Sequence, residues 1–384
     1  MSQIKILHLT THINIGGITT YIYLLGKNID HSKYGIICAS SGGNLKEILE
    51  RSGIRTIDMD FKTKSELSPK IYLAIPKLLK LIKKENIALI HAHTRITQVM
   101  AWWLSCFSGI PVVSTCHGFY KKRLGRRLLP AWGDKIVAIS QPVANHLIEY
   151  FNVKKEKVHM VLNAIDVSDL RKRLTCHDPN QIRKEWNLAS SVPTLGIVAR
   201  IVQDKGHEYL VRAVKEVKKH YPDIKLVIVG TGPNKKKVLR LIRQLQLEEN
   251  VNCVGDLTDV TKALAVIDIF ILPAIWREGF GLSIVEAMAL KKPVIVTNIW
   301  ALNALVRNLD NGLLIEPKSV KALSEAILAL IRDPQLRIAI GTHASETVEE
   351  AFAINRLVTE ISRIYELAIS DKTKLKTKAA GFLI

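Results

Sequence analysis

Two carboxylates eight positions apart carry the strongest chemical signal in this sequence of 384 residues. Glu278 and Glu286 lie in Arg277-Glu278-Gly279-Phe280-Gly281-Leu282-Ser283-Ile284-Val285-Glu286-Ala287-Met288, which follows the apolar run Ile267–Leu272 and Pro273. Gly279 and Gly281 permit a tight turn from strand into helix. A helix that starts near Gly281 offers unpaired backbone N–H groups, an anion site suited to a diphosphate. Carboxylates on either side of such a turn can accept hydrogen bonds from hydroxyls. On spacing alone, a loop and a core helix with incidental acids explain the segment equally well.

Other residues of chemical interest fall at the ends of apolar runs. Gly16-Gly17 follows Ile4–Thr10, and His117-Gly118 closes Thr115-Cys116-His117-Gly118. Ala199-Arg200 and Lys205-Gly206 follow Thr194–Ala199. Taken singly, a glycine pair is a turn, a histidine at a strand end is structural, and a cation at a helix start is surface. Tyr120 to Leu129 is the densest basic cluster: Lys121, Lys122, Arg123, Arg126 and Arg127 are interleaved with Leu124, Leu128 and Leu129, with Trp132 just beyond. That is the pattern of a segment lying on an anionic membrane, and a solvated basic loop is the alternative. The predicted helix Lys70–Lys84 adds lysines beside leucines and isoleucines.

The elements that must position these residues alternate. Short β-branched runs at 4–10, 35–39, 55–58, 88–92, 111–116, 135–139 and 157–161 read as strands, with helical spacing between them. After a polar segment, 177–187, the rhythm restarts at 194–199, 225–229, 252–254, 267–272, 293–297 and 313–315. Strands alternating with helices predict parallel sheets covered on both faces. The expectation is α/β, two doubly wound Rossmann-like domains facing across a cleft, with ligands at the carboxyl ends of the strands. Their predicted bounds are 1–173 and 174–352, with a helix at about 353–369 crossing back to the first domain and a basic tail at 370–384.

Composition agrees with a globular chain: 48% hydrophobic, 23% charged. The five cysteines, Cys38, Cys106, Cys116, Cys176 and Cys253, form no CxxC pair, which argues against a disulfide framework or zinc ribbon. The amino terminus lacks the pattern of a signal peptide, and no apolar run reaches 18 residues. The expected location is therefore cytoplasmic. The net charge of +20 divides as +14 over residues 1–173 and +6 over the remainder, which favours an anionic partner. The basic residues lack the aromatic stacking pattern of a nucleic-acid binder.

Taken in order, these segments resemble the retaining GT-B glycosyltransferases, specifically glycosyltransferase family 4, the group 1 glycosyltransferases. Glu278 to Glu286 resembles that family's E-x7-E signature. Asn163-Ala164-Ile165-Asp166, Val229-Gly230-Thr231-Gly232-Pro233 and Pro293-Val294-Ile295-Val296-Thr297 match further motifs, and the resemblance covers about residues 4–350. It implies a donor site for a nucleotide diphosphate sugar made of Gly16, Gly17, Arg200, Lys205, Glu278, Gly279, Phe280, Gly281, Leu282 and Glu286. Within it, Arg200 and Lys205 bind the phosphates, Glu278 the transferred sugar and Glu286 the ribose. His117 stands near the sugar and acceptor, and with Arg200, Lys205 and Glu278 makes up the implied catalytic set. Charge on the departing diphosphate is then met by fixed cations with no metal or other cofactor. The implied reaction is front-face displacement with retention, from a UDP-linked donor to a cell-envelope glycan or lipid-linked acceptor. The basic cluster would place the enzyme peripherally on the inner face of the cell membrane, with no nucleic-acid partner.

Two patterns compete with this reading and several departures qualify it. Asp58-Met59-Asp60 has the Asp-x-Asp form that binds metal in the other glycosyltransferase fold, GT-A, but ends a first-domain strand. His91-Ala92-His93 points two imidazoles to one face of a strand, without an evident third ligand. Where the family often has Gly-Gly and then Pro-Glu, this chain has Trp300-Ala301-Leu302-Asn303-Ala304. Ala199 replaces a common glycine, and Thr231 a common acid. The alternatives are a catalytically inactive relative serving as a binding or partner subunit, and a polyanion-binding protein.

Overall fold

In the computed structural model, which describes residues 3–188, 192–276 and 278–381, all thirteen predicted strands form. They are β1 (Ile4–Leu9), β2 (Tyr34–Ser40), β3 (Arg55–Asp58), β4 (Ile87–Ala92), β5 (Val112–Cys116), β6 (Lys135–Ala138) and β7 (Val158–Met160), then β8 (Leu195–Val198), β9 (Leu226–Val229), β10 (Val251–Gly255), β11 (Ile269–Leu272), β12 (Val294–Thr297) and β13 (Leu313–Ile315). The first seven make one sheet in the order β3-β2-β1-β4-β5-β6-β7. The other six make a second sheet in the order β10-β9-β8-β11-β12-β13. Every pairing is parallel. Counted from its own first strand, each sheet runs 3-2-1-4-5-6, and the first adds a seventh strand at the end. The order therefore reverses between β1 and β4 in one sheet and between β8 and β11 in the other, where such folds bind ligands at the carboxyl ends of the strands.

Strand alternation builds a core on each face of the first sheet. Ile6 joins a cluster with Tyr21, Ile22, Leu25 and Ile36, while Leu7 and Leu9 face the other way toward Ile75, Leu78, Ile90 and Met100. The helices Pro69–Glu85 and Arg95–Ser108 supply that second cluster. In the second sheet, β9, β11 and β12 are buried along their whole length, as strands covered on both faces must be.

The chain divides into two compact units, residues 1–164 with 354–384, and residues 165–353. The division falls at Ala164/Ile165, upstream of the expected 173/174. The helix Val167–Thr175 belongs to the second unit because Leu170 is buried and Arg173 pairs with Asp259. The polar segment 177–187 packs in the second unit as well. Asp178 caps the helix Pro179–Glu185 by accepting from the Asn180 N–H, and Arg183 pairs with Asp268.

The last helix, Ile354–Gly381, belongs to the first unit, where Leu357, Ile361, Ile364, Tyr365 and Ala368 join the core. It runs on through most of the stretch expected as a basic tail, with Lys135 paired to Asp371 at 2.8 Å. Among the described residues, no helix is long and apolar enough to cross a membrane.

Candidate functional site

In the second unit, the loops after β8 and β11 meet at the switch point of the sheet. Glycine makes this possible. Gly206 has φ +71°, and a Cβ there would lie 1.8 Å from the Pro273 carbonyl oxygen. Gly230 and Gly232 likewise lie against the carbonyls of Ala199 and Ile201, where a Cβ would come within 2.2 and 2.3 Å. The Ile275 N–H donates to the Asp204 carbonyl at 2.8 Å, which ties the two loops together.

Lys205 and Glu278 face each other across this junction. The Lys205 ammonium is ion-paired to Glu278 Oε2, and Glu278 Oε1 accepts from the Gly279 N–H at 3.1 Å. The Glu278 side chain is only 14% exposed, so its carboxylate is held in one place by a charge-assisted pair and a backbone donor. The Arg200 side chain is exposed and has no ion-pair partner among the described residues. Gly281, φ +88°, precedes the helix Leu282–Ala289, whose first N–H groups are the predicted anion site. Phe280 is buried against the Phe352 ring, 5.4 Å between centroids, so it offers a ligand its backbone and not its side chain. Leu282 is half-buried at the first position of that helix. Arg277, which opens the motif, lies outside the described residues.

Glu286 is half-buried one turn from the end of the same helix. Burial pushes its carboxyl up to about 7; the Arg173 guanidinium pulls it down, and the Asp259 carboxylate raises it further. Arg173 is anchored to Asp169 at 2.9 Å and to Asp259 at 2.5 Å. Sequence reasoning missed this Arg173–Asp259 pair, because 86 residues separate its members and neither stands in a motif.

The departures from the family pattern have physical consequences. Thr231, where an acid is common, donates to Asp256 Oδ2 at 2.8 Å. Trp300 is half exposed, Ala304 is exposed, and Ala301 adopts φ +70°, a conformation glycine takes more readily.

In the first unit, Gly16 caps the helix Gly17–Asn28, and neither Gly16 nor Gly17 has an atom within 4 Å of its missing Cβ, so this turn is open to a ligand. His117 follows β5 and is half-buried. Its Nε2 lies 3.1 Å from His93 Nδ1, and His93 Nε2 lies 2.9 Å from His8 Nδ1. The missing third histidine beside His91 and His93 is therefore His8, whose strand pairs with β4 so that His8 and His91 are direct partners. The ligand atoms of the three lie within 4.8 Å of one another. All six of their ring nitrogens are already hydrogen-bonded, to each other, to His117, to Tyr365 or to Thr115, which leaves no lone pairs converging on an ion. Asp58 and Asp60 pair separately, with Lys46 at 2.6 Å and Lys70 at 2.8 Å, and do not converge.

The basic segment is only partly the surface that was expected. Lys121, Lys122, Arg123 and Arg127 are exposed, as are Leu124 and Leu128. Arg126 is buried instead. It stacks on Trp132 at 4.0 Å and Tyr120 at 4.8 Å and donates to Gln98 Oε1 at 2.7 Å. In a five-residue helical turn, one side must face the protein, and the aromatic cage on that side takes the cation.

The family model for group 1 glycosyl transferases matches residues 178–347, and that for glycosyltransferase family 4 matches residues 15–169. The chain is 25% identical to the N-acetyl-alpha-D-glucosaminyl L-malate synthase of Bacillus anthracis, over 94% of this chain and 97% of that one. It is also 25% identical to the UDP-Gal:alpha-D-GlcNAc-diphosphoundecaprenol alpha-1,3-galactosyltransferase of Escherichia coli, over 95% and 97%. Among solved structures, Anabaena HepE in complex with UDP and glucose superimposes with a TM-score of 0.82 at 21% identity, covering 95% of this chain and all of that one. Two family models that match residues 15–169 and 178–347 in succession, and relatives matched over nearly their full length, establish that this chain is a glycosyltransferase of the GT-B fold and belongs to the group 1, family 4 glycosyltransferases.

Proposed function

We propose that the enzyme transfers a sugar from a UDP-linked donor to a cell-envelope glycan or lipid-linked acceptor, with retention of configuration and no metal ion. The observation that carries this reading is the Lys205–Glu278 pair, locked between the loops of β8 and β11 beside Arg200 and the glycine turn of the helix Leu282–Ala289. A diphosphate bound there draws the Lys205 ammonium and the Arg200 guanidinium to its oxygens. Glu278, released from Lys205, accepts from hydroxyls of the transferred sugar. Glu286, at the far side of the same helix, accepts from the ribose. As the bond between the anomeric carbon and the phosphate oxygen breaks, negative charge grows on the diphosphate. The two cations and the helix N–H groups oppose that charge without rearranging. The acceptor oxygen bonds to the anomeric carbon on the same face, and its proton passes to the departing phosphate oxygen. UDP is favoured over other nucleotides because HepE is seen with UDP and the Escherichia coli relative is named for a UDP-Gal donor.

The first unit supplies the acceptor side and a peripheral attachment to the inner face of the membrane. Glu66, bonded to Arg95 at 2.5 Å, lies against Gly125, and Leu67 beside it is 81% exposed. With Leu124 and Leu128 it gives an apolar surface fringed by Lys121, Lys122, Arg123 and Arg127, the composition of a segment lying at an anionic interface.

Thermal unfolding with UDP, GDP, ADP and CMP, with and without magnesium, tests the donor site. UDP at about 100 times its dissociation constant should add about 2.7 kcal/mol of stability, equally with and without magnesium. A shift that requires magnesium would overturn the metal-free reading, and a shift with another nucleotide in place of UDP would overturn the choice of base.

A further inference from the structure

Behind His117 the first unit holds a continuous chain of buried hydrogen bonds. His117 Nε2 meets His93 Nδ1 at 3.1 Å, and His93 Nε2 meets His8 Nδ1 at 2.9 Å. His8 Nε2 meets the Tyr365 hydroxyl at 3.3 Å, which meets His91 Nδ1 at 2.7 Å, and His91 Nε2 meets Thr115 Oγ1 at 2.7 Å. His8, His91, His93, Thr115 and Tyr365 are all at most 1% exposed. Tyr21 closes one side with its ring edge-on to His117 at 5.0 Å and to His93 at 5.7 Å. His117 Nδ1 is the one ring nitrogen of the four histidines with no hydrogen bond among the described residues.

A neutral imidazole carries one N–H and one lone pair. Burial pushes His8 and His117 down to about 3 and His91 and His93 well below the ordinary range, so all four rings are neutral near pH 7. The five links then impose proton order. If His117 carries its proton on Nε2, so must His93, His8 and His91, with Tyr365 donating to His91. If His117 carries it on Nδ1, so must the other three, with Tyr365 donating to His8. A mixture sets two N–H groups or two lone pairs against each other at a histidine–histidine link, or leaves a ring lone pair or the Tyr365 proton unmatched at the buried hydroxyl. The Nε2–H form is the intrinsically preferred tautomer of a histidine side chain, and the first order uses it four times.

We propose that His93, His8, Tyr365 and His91 are positioning residues that hold His117 in its Nε2–H tautomer, so that its free Nδ1 accepts a hydrogen bond from a substrate hydroxyl. This inference rests on the reading of His117 as a residue that faces substrate. It also assigns a role to the last helix, because Tyr365 supplies the link without which the chain is two fragments.

The test is the ring nitrogen spectrum of the full-length protein labelled with 15N-histidine. Two-bond nitrogen–proton correlations at pH 7 should place all four rings in the Nε2–H form. A Nδ1–H tautomer at His117, a mixed set, or a stoichiometric bound metal would overturn the proposal. Tyr365→Phe keeps the ring and removes the link, so His117 should become a mixture of tautomers and kcat should fall about tenfold with donor KM unchanged. An unaltered His117 spectrum in that variant would also overturn it. His117→Ala with full turnover would refute instead the reading of His117 on which the inference rests, since the tautomer spectrum is read without turnover.

Discussion

The first unit carries 29 Lys and Arg against 13 Asp and Glu, the second 26 against 22, so net charges of +16 and +4 ride on sheets wound the same way. Yet the more basic unit places neutral rings on the strands at its switch point. The ends of β1 and β4 carry His8 and His91, neutral and fully buried, the nearby Arg95 is paired with Glu66, and the densest run of exposed cations lies out on the segment 121–127. In the nearly balanced unit, Arg200, Lys205 and Glu278 stand together in the loops after β8 and β11. Topology thus determines where chemistry can occur, and local side chains decide its kind. Fixed charges suit a diphosphate. A neutral array of donors and acceptors suits hydroxyls, and surface cations suit a membrane.

The largest expected effect is on the charged site. Glu278→Ala and Lys205→Ala should each lower kcat by about 10²–10³, with unfolding free energy lowered by about 1–3 kcal/mol, because the remaining charge is left mostly buried and unpaired. Full turnover in a folded Glu278→Ala protein would break the assignment of the donor site to the second unit. Next comes the exposed basic segment. Charge reversal of Lys121, Lys122, Arg123 and Arg127 should cost about 1 kcal/mol per cation in binding to vesicles of anionic lipid, read by flotation. Reversal of Lys236, Arg240 and Arg243 in the second unit should leave that binding unchanged. Equal losses would mean that general charge, and not the 121–127 surface, attracts the lipid.

The smallest effect is on stability against pH, and its sign differs between the units. Glu286 has a folded pKa of about 7, above its unfolded value of about 4.3, so its contribution is present at low pH and lost as pH rises through 7. Relative to Glu286→Gln, the wild type should lose on the order of 2 kcal/mol between pH 4.5 and pH 8, the full shift being discounted for a half-buried group. Urea unfolding at the two pH values measures it, and parallel curves would show the carboxylate ionised throughout. The histidines behave oppositely. Their folded values are depressed, so the stability they contribute is present above about 6.5 and lost as pH falls toward 3.

Much of this was legible in the sequence because it is local. Short β-branched runs marked all thirteen strands, most plainly the central β9, β11 and β12, since a strand buried on both faces must be apolar throughout, while the edge strands β3 and β7 are only partly buried. Glycines at 206, 230 and 281 marked turns whose positive φ or close approach excludes a side chain. The division lies upstream of the expected one because the helix Val167–Thr175 packs in the second unit through Leu170 and the Arg173–Asp259 pair, which no local pattern signals. Arg126 looked like its four neighbours until Trp132 and Tyr120 closed around it.

The sequence by itself determined the alternation of strands and helices, the glycine turns and the order of motifs that names the family. Each depends on backbone sterics and side-chain period within a few residues. Only the tertiary structure decided which histidines share protons, which arginine is buried and what surrounds Glu286. His8 meets Tyr365 across 357 positions, and Arg173 meets Asp259 across 86. Such meetings depend on how sheets and helices stack, and desolvation, which shifts every pKa discussed, exists only once they have stacked.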